Sequence, residues 1–374
     1  LIPRELFFGP PARGITATRK FDLSACIWLG DTSSMAARKR TGFAVVGLGK
    51  IAQGSVLPAF ANSKHAKLVA LVSRDWKKAM RLARKFGAKA VYSSNEYAAY
   101  LANPEVSALY IATPPGDHAH LTIAAAQAGK NVLCEKPLAA TSEQSAAMVE
   151  ACQKHGVLLM TAYRKYYEPS TLDLKQIIRS GKLGRIDAIH TAFSELYLPG
   201  VSQGWLVDPK LAGGGPLMDL GVYCVNTSRW LVDENPSEVS AQSWVHDAAK
   251  FQGVEEGISF RLRFPSGLVV VGSSTYGAAL SSFIFVQATK GWASLSPIFP
   301  FDEARHLTGR IANRKFGRTF KVVDEFALEI DALASAIQND RAVEADGVEG
   351  HRDMMILEAI YESARTKQPV SIKY

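Results

Sequence analysis

Short apolar runs separated by helical periods fill the chain from residue 41 to about residue 160. The runs at 43–47, 68–72, 109–112, 132–134 and 157–160 are too short for helices and read as buried strands. Between the second and third, Trp76, Ala79, Met80, Ala83 and Phe86 recur at helical spacing and predict one apolar helix face. Another helix is predicted over 123–128, ended by Gly129. Strands alternating with helices through short turns predict a parallel sheet. Beyond residue 161 the period changes. Leu172, Ile177 and Ile178 share a helix closed by Ser180-Gly181. Ile258, Phe260, Leu262 and Phe264 then alternate with polar neighbours, and Pro265-Ser266-Gly267 turns the chain into 268–271. The run 283–288 meets 292–295 across Lys290-Gly291, a hairpin signal. Two late helices are predicted over about 324–338 and 351–366.

Composition narrows the function classes. A chain of 374 residues suits two domains of ordinary size. No apolar run approaches the roughly 18 residues that span a bilayer, so no membrane partner is expected. The net charge of +8 raises nucleic acid as a ligand. Much of the excess, however, is Arg4, Arg13, Arg19, Lys20, Arg38, Lys39 and Arg40, and no basic stripe with interleaved aromatics follows. Nucleic acid is therefore not expected as a partner. Cys26, Cys134, Cys152 and Cys224 show no metal spacing and read as reduced thiols of a cytoplasmic protein. Residues 1–40 lack apolar periodicity and read as a disordered N-terminal extension, with Met35 as the biological start. The alternative is an arm that packs on a neighbouring subunit.

The first strand runs into Gly47-Leu48-Gly49-Lys50-Ile51-Ala52, a GxGxxA sequence that opens a helical stretch. The first glycine permits a tight turn, the second lets a pyrophosphate approach the backbone, and Ala52 allows close helix–strand packing. The helix start supplies amide donors and a positive dipole end. These features predict a dinucleotide site. An acidic residue at the end of the second strand would hold the ribose diol of NAD. Ser73 stands there instead, with Arg74, Lys77 and Lys78 nearby, which suits the 2′-phosphate of NADP. NAD stays possible, because Asp75 follows directly.

Glu135-Lys136-Pro137 ends a parallel strand, where open α/β sheets bind ligands. Taken alone, it is equally a surface turn. Thr113-Pro114 with His118, Ala128-Gly129-Lys130, Tyr163-Arg164, Tyr167-Glu168-Pro169, Leu211 to Gly215 and Met218 to Tyr223 complete a longer pattern. With these motifs the chain resembles the Gfo/Idh/MocA oxidoreductases over residues 41–374, and within them the glucose–fructose oxidoreductase branch. The resemblance implies an α/β fold. Residues 41–160 would form an N-terminal Rossmann domain and 161–374 a C-terminal α+β domain with an open, mostly antiparallel sheet. The last helix has room to pack back on the Rossmann domain. It also implies cofactor contacts from Thr113, Pro114, His118, Glu135, Lys136 and Arg164, and substrate contacts from Lys136, Tyr163, Trp205, Asp219 and Tyr223. Many members carry His where this chain has Tyr223, and tyrosine serves as acid/base in the branch it resembles.

Gly213-Gly214-Gly215-Pro216 reads as a flexible loop before a helix. At about 100° per residue, Leu217, Leu220, Gly221, Cys224, Ser228 and Leu231 share one face, and Asp219, Tyr223, Asn226 and Trp230 the opposite one. The second face is a solvated surface on spacing alone, and a catalytic face if the resemblance holds. Tyr223 would take a hydroxyl proton with help from the charge of Lys136, and Asp219 would orient the substrate. His118 and His120 without a matching acid do not make a metal site. The expected function is NADP-dependent hydride transfer to or from a sugar or polyol carbon. A non-catalytic dinucleotide sensor, and a lyase or epimerase using transient hydride transfer, remain as alternatives. Phe283, Phe285 and Trp292 would leave an apolar patch on the outer sheet face, which predicts a homodimer or homotetramer.

Overall fold

Every residue of the first strand is buried, as strands of a sheet covered on both faces must be. The computed structural model describes residues 40–374, so the expectations for the N-terminal extension lie outside the described residues. The first six strands are β1 (Thr41–Val46), β2 (Ala66–Ser73), β3 (Ala90–Ser93), β4 (Ala108–Ile111), β5 (Asn131–Cys134) and β6 (Leu159–Thr161). They form one sheet in the order β3-β2-β1-β4-β5-β6. All neighbours are parallel. The order reverses between β1 and β4, and this switch opens a crevice at the carboxyl ends of the strands.

Three details differ from the sequence reading. β3 was not expected, because four half-buried residues at an edge carry no readable period. The last strand of this sheet starts at Leu159, two residues later than the apolar run. In the helix Trp76–Phe86 the buried stripe is Ala79, Leu82 and Ala83, while Trp76 is exposed.

The second sheet holds β7 (Ile186–Ser194), β8 (Glu238–Trp244), β9 (Gly257–Arg263), β10 (Val269–Thr275), β11 (Ser281–Ala288), β12 (Gly291–Ser296), β13 (Arg305–Ile311), β14 (Arg314–Phe320) and β15 (Val370–Ser371). Its order is β14-β13-β12-β11-β7-β10-β9-β8-β15. Only β7 and β10 run parallel; the other pairs are antiparallel. Alternation along β11 sends Ile284 and Val286 inward and Phe283 and Phe285 outward. The helices Pro169–Arg179 and Val222–Val232 cover the inner face. The chain then returns to the first sheet. On the helix Glu325–Asn339, Asp331 accepts hydrogen bonds from the Ser63 hydroxyl at 2.6 Å and the His65 amide at 2.8 Å. On the helix Gly347–Thr366, Glu358 accepts from the Ser142 amide at 2.6 Å. Among the described residues no helix is long and apolar enough to cross a membrane.

Candidate active site

A cavity of about 920 Å³ runs from the glycine turn after β1 to the end of the second sheet. At Gly47 the backbone takes φ +91°, and a Cβ there would lie 2.7 Å from the Ala112 carbonyl oxygen. The turn is therefore closed to any side chain. A Cβ on Gly49 would meet only the Gln203 amide, at 3.4 Å, so the loop presents open backbone to the cavity. That open backbone is the cradle a pyrophosphate needs, and the donors fit a dinucleotide. Leu48, Lys50 and Ile51 line the same end, while Ala52 is buried and packs the helix against the sheet. Ser73, Arg74 and Lys78 line the cavity beyond β2. Asp75 lines the cavity as well; its carboxylate accepts from the Lys78 amide at 2.9 Å and lies 3.7 Å from the Lys78 ammonium. Thr113 and Pro114 line the middle of the cavity, followed by Glu135 and Lys136.

The opposite end gathers the candidate chemistry. Lys136 sits past β5, before a cis peptide to Pro137. Its ammonium donates to the Asp219 carboxylate at 2.7 Å and to the Asp219 carbonyl at 2.9 Å. The Tyr276 hydroxyl donates to the other Asp219 oxygen at 2.9 Å. Asp219 lies on a π-helical turn, Leu217–Gly221, that leads into the helix bearing Tyr223. Lys136 Nζ and Arg164 Cζ each lie 5.0 Å from the centroid of the Tyr223 ring. Arg164 Nε donates to the Tyr223 hydroxyl at 3.2 Å. Burial pushes the Tyr223 phenol up, Arg164 and Lys136 pull it back, and the net direction is upward. Burial also opposes the charge on Lys136, but Asp219, Tyr223 and Glu135 outweigh it and hold the ammonium above its ordinary range.

Behind these groups lies a second set of carboxyls. The Tyr110 hydroxyl is 2.8 Å from Glu135 and 2.9 Å from Glu329. A hydroxyl carries a single proton, so the two carboxyls compete for it. Burial raises both carboxyls, and their mutual repulsion adds to the rise at Glu329. Arg164 is anchored by Glu325 and by the Phe299 carbonyl at 2.6 Å.

Several expected site residues fall elsewhere. His118 is fully buried and does not line the cavity. Its ring meets the carbonyls of Pro137 at 3.1 Å and Thr113 at 2.9 Å, so it ties together two loops that do line the cavity. Tyr163 is buried too, stacked on Tyr166 with centroids 5.9 Å apart. The glycine loop is pinned rather than flexible. Glu255 accepts from the Gly215 amide at 3.0 Å, the Leu217 amide at 2.9 Å and the Tyr361 hydroxyl at 2.9 Å. A Cβ on Gly215 would lie 2.5 Å from the Glu255 carbonyl oxygen, which leaves no room for a side chain. Asn226 and Trp230 share the helix of Tyr223 but are buried against Asp353 and Glu344. Trp205 lines the cavity as expected. Tyr276 and Glu195 were missed. They follow β10 and β7, whose parallel ends lie side by side, a signal readable only once that pairing is known. Among the described residues no cluster of His, Cys, Asp and Glu could hold a metal.

The fold has known counterparts. Residues 41–163 match the oxidoreductase family with an NAD-binding Rossmann fold, and residues 171–294 match the GFO/IDH/MocA C-terminal domain. The chain is 32% identical to D-xylose 1-dehydrogenase (NADP(+)) 2 of Haloferax volcanii, over 88% of this chain and 99% of that one. It is 28% identical to 1,5-anhydro-D-fructose reductase of Ensifer adhaerens, over 88% and 98%. The structure of aldose-aldose oxidoreductase from Caulobacter crescentus, complexed with glycerol, superposes with a TM-score of 0.85. It is 31% identical and covers 89% of this chain and 100% of its own.

Proposed function

The chain belongs to the Gfo/Idh/MocA oxidoreductases, and from that premise we propose that it moves a hydride between NADP and a carbon of a sugar or polyol, with Tyr223 as acid/base. The observation that carries the reading is the Tyr223 hydroxyl, held in the cavity 3.2 Å from Arg164 and under the charge of Lys136. When bound, NADP supplies the hydride acceptor or donor. The glycine turn and the Ser73-Arg74 corner hold the dinucleotide. Tyr223 takes the proton of the substrate hydroxyl as the carbon is oxidised, or returns it in the reverse direction. Lys136 and Arg164 favour the phenolate, and Asp219 with Tyr276 fixes the ammonium of Lys136 in place. The relatives named as sugar dehydrogenase and sugar reductase support a sugar as substrate.

The test is NADP⁺ reduction over a panel of aldoses and polyols, after assay of the purified protein for bound cofactor. Net reduction with a neutral aldose supports the reading. Conversion of sugar without net reduction would mean hydride passed to a second sugar on retained cofactor if a reduced sugar forms, and a lyase or epimerase if none does. Binding without conversion would mean a sensor.

Two predictions attach to this reading. In Ser73→Asp, a carboxylate would face the 2′-phosphate, so NADP should bind at least tenfold more weakly while NAD binding holds or improves, about 1.4 kcal/mol of discrimination. Titration of both cofactors by fluorescence checks this, and tighter binding of NAD by the unaltered protein would refute it. The second concerns assembly. On the outer face of the second sheet, Val271 and Phe283 are exposed and Phe285 packs on Trp292 with centroids 5.7 Å apart. We assign this face to a homodimer or homotetramer contact, and light scattering at micromolar concentration should give a multiple of the 40.6 kDa chain mass. A monomer mass would count against it. The buried free thiols of Cys134, Cys152 and Cys224 suit a reducing compartment, and we place the enzyme in the cytoplasm.

A further inference from the structure

The cations at the reacting end of the cavity already have anions. Lys136 is paired with Asp219 at 2.7 Å, and Arg164 with Glu325. Nearer the glycine turn, the Lys50 ammonium donates to the Val201 carbonyl. Three carboxylates on the cavity wall, Asp117, Glu195 and Asp302, have neither a side-chain hydrogen-bond partner nor an ion pair among the described residues. Glu195 is the best placed, beside the reacting end. It follows β7, and its amide donates to the Thr275 carbonyl at 3.1 Å, which fixes it beside Tyr276. Tyr276 in turn bonds Asp219 at 2.9 Å. The Glu195 side chain is exposed on the cavity wall and lies within electrostatic reach of Asp219, Lys136 and Lys50. Partial desolvation and the charge of Asp219 push it up, Lys136 and Lys50 pull it back, and the net direction is upward.

An ionised carboxylate only accepts hydrogen bonds. It can be satisfied by a hydroxyl, whereas a phosphate or second carboxylate would face it with like charge. We propose that Glu195 is a specificity-determining residue, accepting a hydrogen bond from a substrate hydroxyl away from the reacting carbon and excluding sugars that carry a phosphate or carboxylate. This rests on the sugar-oxidoreductase reading and names the substrate class as neutral polyhydroxyl compounds. Rejection by like charge is a separate device from attraction of the right substrate, so the two can be separated by substitution.

The experiment compares kcat/KM for the best neutral aldose of the panel with that for its 6-phosphate and its uronic acid. The unaltered enzyme, Glu195→Gln and Glu195→Arg are assayed, with NADP affinity and melting temperature measured for each. The unaltered enzyme should prefer the neutral aldose. Glu195→Arg should lose about tenfold with the neutral aldose, chiefly through KM, and gain about tenfold with the anionic sugars. Glu195→Gln keeps a hydrogen-bonding group without the charge, so it should relax the rejection of anions and lose less with the neutral aldose. An unchanged ratio of neutral to anionic sugar in both variants would overturn the proposal. So would a preference of the unaltered enzyme for an anionic sugar, or an effect confined to NADP affinity, which would place Glu195 against the cofactor. If the unaltered enzyme reduces NADP⁺ with no sugar at all, the sugar reading falls and this proposal with it; turnover with an unchanged ratio removes the proposal alone.

Discussion

In Tyr223→Phe, turnover should fall by roughly 10²- to 10⁴-fold while NADP affinity changes little, the usual effect of losing a positioned general base. The substitution removes a hydroxyl and keeps a ring that packs 5.9 Å from Phe193 and 5.4 Å from Phe299, centroid to centroid. Arg164 loses one acceptor but keeps Glu325 and the Phe299 carbonyl. Misfolding is therefore not the expected source of the loss. The oxidative reaction needs the phenolate, and burial holds the phenol above its ordinary range despite two nearby cations. Oxidation should accordingly speed up as pH rises on the alkaline side. Lys136→Met takes away one of those cations and leaves Asp219 unpaired, so the rise should move to higher pH. The losses in Tyr223→Phe and Lys136→Met should be less than additive if the two side chains act as a unit. Profiles of kcat/KM against pH, with separate NADP titrations, check each part. Nearly full turnover in Tyr223→Phe, measured where chemistry limits the rate, would make Lys136 the leading acid/base candidate.

What could be read from the chain is what is local in it. The glycine turn, the end of β2, the Glu-Lys-Pro turn and the i, i+4 pair Asp219 and Tyr223 are each written within a few residues. Each names a conformation or a charge without reference to a distant partner. Partnership is what the pattern does not carry. Arg164 was expected among the cofactor contacts; it lines the cavity, reaches the Tyr223 hydroxyl and is held by a glutamate 161 residues further on. Glu255 pins the glycine loop from 40 residues away, and Glu329 meets Tyr110 across 219. His118 shows the converse. A histidine in a motif at the end of a strand reads as a ligand, but burial and flanking carbonyls make it a brace between two loops. The polar face drawn for the helix of Tyr223 is likewise internal, because the helices Pro169–Arg179 and Gly347–Thr366 pack around it. Polarity there marks buried hydrogen bonding, which spacing cannot distinguish from solvent exposure.

Glu325→Gln should produce the largest loss of stability among single substitutions near the site. Glu325 is buried and meets Arg164, Arg305 and, at 2.9 Å, Lys165, all three of them buried. Burial works against its charge, but the three cations hold the carboxyl below its ordinary range. Removing that charge leaves Arg164 and Lys165 in a low-dielectric interior without their paired carboxylate, and Arg305 with only Glu168 at 3.9 Å, a change that costs about 3–5 kcal/mol. For a chain of this size, that is a melting temperature lower by about 4–6 °C. The arginines cannot relieve the strain by losing a proton, but Lys165 can. Burial, with Arg164 and Arg305 beside it, already pushes Lys165 down to about 7, and Glu325 is the group that opposes the fall. Without Glu325 the folded-state value drops further, while the unfolded value stays that of an ordinary lysine. Between the two the unfolded chain binds more protons, so stability is lost as pH falls. In the unaltered protein this loss ends near pH 7, where Lys165 is charged in both states. In the variant it continues below, so the gap in melting temperature between the two proteins should widen from neutral to mildly acidic pH. Calorimetry at several pH values reads both effects. A variant that melts within a degree or two of the unaltered protein, with a gap that does not depend on pH, would show that Glu325 does not hold these cations in place.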